Sequence, residues 1–182
     1  MSKVWFVTGS SRGLGRAVVE AALAGGDSVI ATARKPDQLK DLVAKHGDRV
    51  MPVALDVTDY AAALKAVRAG HEKLGRIDVV VNNAGYADLA AIEDISIENF
   101  RAQIETNFFG VVNVTKAVLP ILREQRRGHI FQISSLGGRI GTVGLAAYQS
   151  AKWAIGGFSI GLAQEVAPFG IKVTVLEPAG LR

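Results

Sequence analysis

The sequence predicts an α/β protein built on a doubly wound parallel sheet of six strands, and three observations carry that expectation. Short apolar runs alternate with amphipathic helical patterns along the chain. The runs are continuously apolar rather than alternating with polar residues, as in strands buried on both faces. The first run, Val4-Trp5-Phe6-Val7, leads at once into the turn Thr8-Gly9-Ser10-Ser11-Arg12-Gly13-Leu14-Gly15, which opens a helical pattern. Strand, glycine turn and helix in that order make a phosphate cradle. Glycine lets the backbone approach an anion, and the free N–H groups at the positive end of the helix attract it. The spacing is G-x-x-x-G-x-G rather than the G-x-G-x-x-G of the common dinucleotide fingerprint.

Strands are expected near Val4–Thr8, Ser28–Ala33, Val50–Asp56, Ile77–Asn82, His129–Ser134 and Lys172–Glu177. Helical periodicity covers Leu14–Ala24, Asp37–His46, Asp59–Leu74, Ser96–Gln125 and Tyr148–Ala167. Thr58 and Ser96 are placed as N-caps, because their hydroxyls can accept from the first free N–H groups, and Asp37 as the cap of the second helix. Pro168 and Gly170 end the last helix. No linker, composition break or short repeat divides residues 1–182, so one domain is expected.

At 182 residues the chain can build one substantial core, and 49% apolar residues exclude a disordered chain. The net charge of +4 is scattered, without a Lys/Arg run that would track nucleic acid. Arg123, Arg126 and Arg127 cluster at a helix end, where cations suit the dipole. The absence of cysteine removes disulfides, thiolate metal sites and Cys nucleophiles. His46, His71 and His129 lack ligand spacing, so no metal site is expected. The apolar run before the glycine turn is too short for a signal peptide, and no stretch reaches membrane-spanning length. The expected location is cytoplasmic, with neither nucleic acid nor membrane as a partner.

In an open parallel sheet, ligands bind at the carboxyl ends of the strands. Those ends carry Thr8-Gly9, Ala33-Arg34, Asp56-Val57, Asn82-Asn83-Ala84-Gly85, Ser134-Ser135 and Glu177-Pro178. After the second strand, an NAD site offers an acid to the ribose diol and an NADP site offers cations to the 2′-phosphate. Here Arg34 occupies that place, and Arg12 in the glycine turn can reach the same phosphate with a bidentate guanidinium. Asp27 precedes the strand and does not replace the missing acid. NADP(H) is therefore favoured over NAD(H), the alternative being two solvated arginines.

Tyr148 and Lys152, at i and i+4, share a helix face. A free tyrosine, with a pKa of about 10, is a poor base at neutral pH, and a nearby ammonium lowers that value. The pair could then exchange a proton with a carbonyl oxygen that Ser135 supports by hydrogen bonding. Such a pair, by itself, equally serves to pack or cap a helix.

Taken together, these residues resemble the short-chain dehydrogenase/reductase family from residue 3 to the C-terminus. Its T-G-x-x-x-G-x-G matches Thr8–Gly15, its N-N-A-G matches Asn82–Gly85, and its helical asparagine matches Asn107. Its serine matches Ser135, thirteen residues before the Tyr148 and Lys152 of Y-x-x-x-K. The resemblance implies a Rossmann fold and a catalytic set of Asn107, Ser135, Tyr148 and Lys152. Tyr148 would be the general acid or base, and Lys152 would lower its pKa and hold the nicotinamide ribose. Ser135 would position the substrate oxygen. Asn107 would hold a relay water, the alternative being a buried amide satisfied by backbone. For the cofactor, the resemblance implies Gly9, Ser11, Arg12, Gly13, Leu14 and Gly15 at the glycine turn and Arg34 after the second strand. Asp56 would meet the adenine amino group, with Val57 beside the ring. Asn83, Ala84 and Gly85 would line the adenine-ribose and nicotinamide side, with Tyr148, Lys152, Pro178 and Gly180 at the nicotinamide.

The family pattern also implies a homodimer or homotetramer, built on the last two long helices, where Phe108, Phe109, Trp153 and Phe158 lie. Two departures stand out. Ala179 falls where the family has the glycine of a Pro-Gly pair, and relatives continue past Arg182 into a substrate-covering lid and a seventh strand. A longer protein is therefore expected. Leu136, Ile140, Val143 and Leu145 favour an apolar substrate, with Tyr86 facing the same pocket, and equally suit a mobile loop with core anchors. The expected activity is NADP(H)-dependent interconversion of a ketone or aldehyde with an alcohol. The alternative is a non-catalytic dinucleotide-binding or sensor protein. An epimerase or dehydratase fits less well, since those chains are longer and space their glycines differently.

Overall fold

The apolar runs form one six-stranded, all-parallel sheet in the computed structural model, which describes residues 2–179. The strands are β1 (Val4–Val7), β2 (Ser28–Ala33), β3 (Val50–Ala54), β4 (Val79–Asn82), β5 (Gly128–Ile133) and β6 (Ile171–Leu176). Their order across the sheet is β3-β2-β1-β4-β5-β6. The direction of winding reverses between β1 and β4, so the chain leaves these two neighbours toward opposite edges and opens a crevice above their carboxyl ends. The register there is Phe6 beside Ile30 and Val80, and Val7 beside Ala31 and Val81.

Six α-helices are described: α1 (Gly13–Ala24), α2 (Lys40–His46), α3 (Tyr60–Leu74), α4 (Ile97–Ile104), α5 (Gly110–Gln125) and α6 (Ala146–Val166). They cover the two faces separately. Val19, Ala22 and Leu23 of α1 and Leu42 of α2 bury against Val7, Val29, Ala31 and Val81. On the other face, Ala63 and Val67 of α3, Val114 and Val118 of α5, and Leu162 and Val166 of α6 meet Phe6, Ile30, Val80 and Ile130. The inner strands β1, β2, β4 and β5 thus feed two apolar layers, which is why their sequences read as continuous apolar runs rather than alternating ones.

Three expectations need correction. The long helix expected over Ser96–Gln125 is α4 and α5 joined by a π-helical turn, Glu105–Phe109, which carries Asn107. Ser96 caps α4 as expected, its side chain accepting from Asn99 N–H at 3.1 Å. Asp59, not Thr58, caps α3, accepting from Ala62 N–H at 2.9 Å. The Thr58 hydroxyl instead donates to Asp56 Oδ1 at 2.8 Å, closing the turn before the helix. Asp37 does not cap α2. It lies inside a short 3₁₀ turn, Pro36–Leu39, and pairs with Lys40 at 2.9 Å.

Candidate active site

Thr8 follows β1 and joins its end to the end of β4. Its hydroxyl accepts from the N–H groups of Asn83 (2.9 Å) and Ala84 (3.0 Å). In return, Asn83 Nδ2 donates to the carbonyls of Thr8 and Gly9, at 2.9 and 3.2 Å. Gly15 lies under this clasp. A β-carbon there would sit 2.3 Å from Gly9 O and 2.4 Å from Asn83 Nδ2, so only glycine lets α1 start this close to the sheet. Gly9 and Gly13 both hold left-handed backbone, at φ +66° and +56°. They differ in surroundings, since a β-carbon on Gly13 would meet nothing within 4 Å, whereas one on Gly9 would touch Ala84.

Above the clasp runs a groove of about 1080 Å³. Its walls include Gly9, Ser11, Arg12, Gly13 and Leu14 of the turn, and Arg34 after β2. Asp56 and Val57 after β3, and Asn83, Ala84 and Gly85 after β4, line it too, whereas Tyr148, Lys152 and Pro178, expected at the nicotinamide, do not. Gly15 does not line it; it is buried behind the turn. Lys35, Gln38 and Tyr86 line it as well. The acids near β2 are engaged elsewhere. Asp27 accepts from Lys3 N–H (2.8 Å) and Trp5 Nε1 (2.7 Å), and Asp56 holds Thr58. Arg12, Arg34 and Lys35 outnumber Asp56 at that end of the groove and make it net positive.

The other end meets α6. Lys152 is buried, and its Nζ donates to Ile133 O at 2.7 Å. It lies 5.5 Å from the centroid of the Tyr148 ring, as the i, i+4 spacing on α6 requires. Burial pushes the Lys152 ammonium down to about 8. The Ser134 hydroxyl donates to Lys152 O at 3.1 Å and so ties α6 to the end of β5. Ser135 Oγ accepts from Gly137 N–H at 3.0 Å, leaving its own proton free to donate outward. Gly85 links the groove to this cluster: a β-carbon there would sit 2.5 Å from Asn107 Oδ1 and 3.7 Å from Lys152 Nζ. Asn107 is fully buried; its Oδ1 accepts from Tyr86 N–H (2.9 Å) and its Nδ2 donates to Tyr86 O (2.8 Å). The backbone satisfaction expected as its alternative role is present, with one N–H and one lone pair to spare. Pro178 O accepts from Leu136 N–H at 3.2 Å, beside Ser135. Gly180 lies outside the described residues.

A family model described as short chain dehydrogenase matches residues 3–182. The chain belongs to the short-chain dehydrogenase family. Among its relatives, an oxidoreductase of Botryotinia fuckeliana is 71% identical over 183 residues, covering 100% of this chain and 67% of the relative. A 3-ketodihydrosphingosine reductase of Bacteroides thetaiotaomicron is 39% identical over 176 residues, covering 97% of this chain and 63% of the relative. The crystal structure of a short-chain dehydrogenase from Streptomyces avermitilis superposes with a TM-score of 0.96 at 45% identity, covering 100% of this chain and 67% of that one. This short-chain dehydrogenase chain thus spans about two thirds of the length of these relatives.

Proposed function

We propose that the chain forms the nucleotide-binding and catalytic part of an NADP(H)-dependent oxidoreductase that interconverts a ketone or aldehyde with an alcohol. The observation that carries this reading is the juxtaposition at Gly85: a groove of dinucleotide size ends where Lys152, Tyr148 and Asn107 meet. The groove fits the nucleotide chemically. Gly13 offers open left-handed backbone to a phosphate, while Arg12 and Arg34 offer guanidinium groups to a second one. The nucleotide supplies or accepts the hydride when bound.

The remaining chemistry belongs to the side chains. Tyr148 gives its phenolic proton to the carbonyl oxygen in reduction and takes it back in oxidation. The neighbouring Lys152 ammonium stabilises the phenolate left behind. Ser135, whose Oγ accepts from Gly137 N–H, donates its own proton to the same substrate oxygen. Asn107 has the spare N–H and lone pair that a relay water needs.

An apolar substrate accords with the loop beside Ser135. Leu136, Ile140 and Val143 are exposed there, Val143 at 93%. Gln149 Oε1 holds this loop through Thr142 N–H (2.9 Å), and Gly144 O joins it to Ala90 N–H (2.9 Å). The relative from Bacteroides thetaiotaomicron is named for reducing a 3-keto compound, 3-ketodihydrosphingosine. Assembly into a dimer or tetramer through α5 and α6 accords with exposed Phe109 and Trp153, whereas Phe108 and Phe158 pack edge to face on each other. Among the described residues no helix is long and apolar enough to cross a membrane.

The test is consumption of NADPH, and separately NADH, when the purified protein meets a panel of aliphatic and aromatic ketones and aldehydes. NADPH consumption that depends on the carbonyl compound is expected. Tight NADPH binding without turnover across the panel would favour a sensor, and no binding of either nucleotide would refute the reading.

A further inference from the structure

Gln103 lies on α4 about one turn before Asn107, and its side chain is fully buried. Its Oε1 accepts from Asp88 N–H at 3.1 Å. Asn107 holds the N–H and the carbonyl of Tyr86. Tyr86 and Asp88 are two residues apart, the repeat of extended chain, and Gln103 and Asn107 are four apart, the repeat of one helix face. Two buried amides therefore grip the segment after β4 at alternate residues, as an adjacent strand would.

That segment is a wall of the groove. Gly85, Tyr86, Ala87 and Asp88 all line it, and Gly85 is the residue against Lys152 Nζ. Gln103 itself does not line it. Asp88 N–H needs an acceptor, so the Gln103 oxygen must point there. Its Nε2 is then left buried and without a partner among the described residues. An orphaned amide donor is a poor core group, and an apolar side chain of the same length would fill the space at lower cost. Packing alone does not account for glutamine at this place; the Asp88 contact does.

We propose that Gln103 is a positioning residue for the nucleotide: it fixes the Gly85–Asp88 wall against which the nicotinamide half of NADP(H) lies. This rests on the NADP(H) reading above. Its effect is confined to the end of the groove next to Lys152, because the Arg12 and Arg34 end is held by other contacts.

The experiment compares Gln103→Met, which keeps length and removes the acceptor, with Gln103→Glu at about pH 6, where a buried carboxyl is protonated and its carbonyl oxygen still accepts. Affinities for NADPH and for adenosine 2′,5′-bisphosphate, which lacks the nicotinamide half, are measured by titration. Gln103→Met should bind NADPH about tenfold more weakly while holding the bisphosphate within about twofold of wild type, and Gln103→Glu should restore NADPH affinity. Gln103→Met binding NADPH like wild type would overturn the proposal. So would an equal loss for both ligands, which marks general damage to the fold. Wild-type protein that binds neither ligand would overturn the NADP(H) reading itself, an outcome distinct from the other two.

Discussion

Lys152 Nζ donates a 2.7 Å hydrogen bond to Ile133 O, so an ammonium is held at the end of β5 in a buried position. Burial lowers its pKa from 10.5 to about 8. Below pH 8, folded and unfolded chains both carry the proton, and the fold bears the full cost of burying the charge. Between about 8 and 10.5 the folded chain has released the proton while the unfolded chain keeps it, so stability rises with pH through that window. Lys152→Met removes the titrating group. In urea unfolding without nucleotide, wild type should gain about 3 kcal/mol relative to this variant across the window. A flat or falling difference would contradict the burial of a charged lysine.

Arg34 and Arg12 line the groove end where the nearby acids are already engaged. Arg34→Asp should weaken NADPH binding about tenfold to a hundredfold, the worth of a charge-assisted hydrogen bond to phosphate, and leave NADH binding unchanged or improved. Nucleotide titrations of both proteins check this. Equal losses for NADPH and NADH would place Arg34 outside the 2′-phosphate site.

The glycines of the turn should separate by role. Gly15→Ala forces a methyl onto Gly9 O and Asn83 Nδ2, and should cost about 1–3 kcal/mol of stability. Gly13→Ala meets no atom and should cost about 1 kcal/mol through its left-handed backbone, with weaker NADPH binding as its larger effect. Urea unfolding with nucleotide titration distinguishes the two. Equal stability losses would contradict the division.

At the start of α3, Asp59→Ala should cost about 1 kcal/mol, and Thr58→Ala less than half of that. Thermal unfolding of the two variants tests which residue caps the helix; the reverse ranking would restore Thr58 to the role its hydroxyl suggested.

That pair shows where the sequence was legible and where it was not. Strand positions were readable because burial on both faces demands unbroken apolar runs such as Val79–Val81. The glycine turn was readable because Gly9 and Gly15 are sterically compelled. Thr58 and Asp59 are adjacent and both can cap, so composition could not separate them; the Asp56 turn decides by engaging Thr58. The π-helical turn at Glu105–Phe109 left no mark on the apolar period, because one additional residue per turn is lost over a stretch as long as Ser96–Gln125. Gln103 went unnoticed for a related reason. A glutamine in an amphipathic helix reads as solvent-facing, and only the path of the chain after β4 brings Asp88 N–H to it.

The most direct test of the account is Tyr148→Phe. The substitution removes one hydroxyl from a half-buried ring and no groove-lining atom. NADPH affinity should stay within about twofold of wild type, while carbonyl-dependent NADPH consumption falls by at least about a hundredfold, the contribution of a positioned general acid. A Tyr148→Phe protein that binds NADPH and keeps the wild-type rate would contradict Tyr148 as the proton donor, and with it the proposed chemistry of the site.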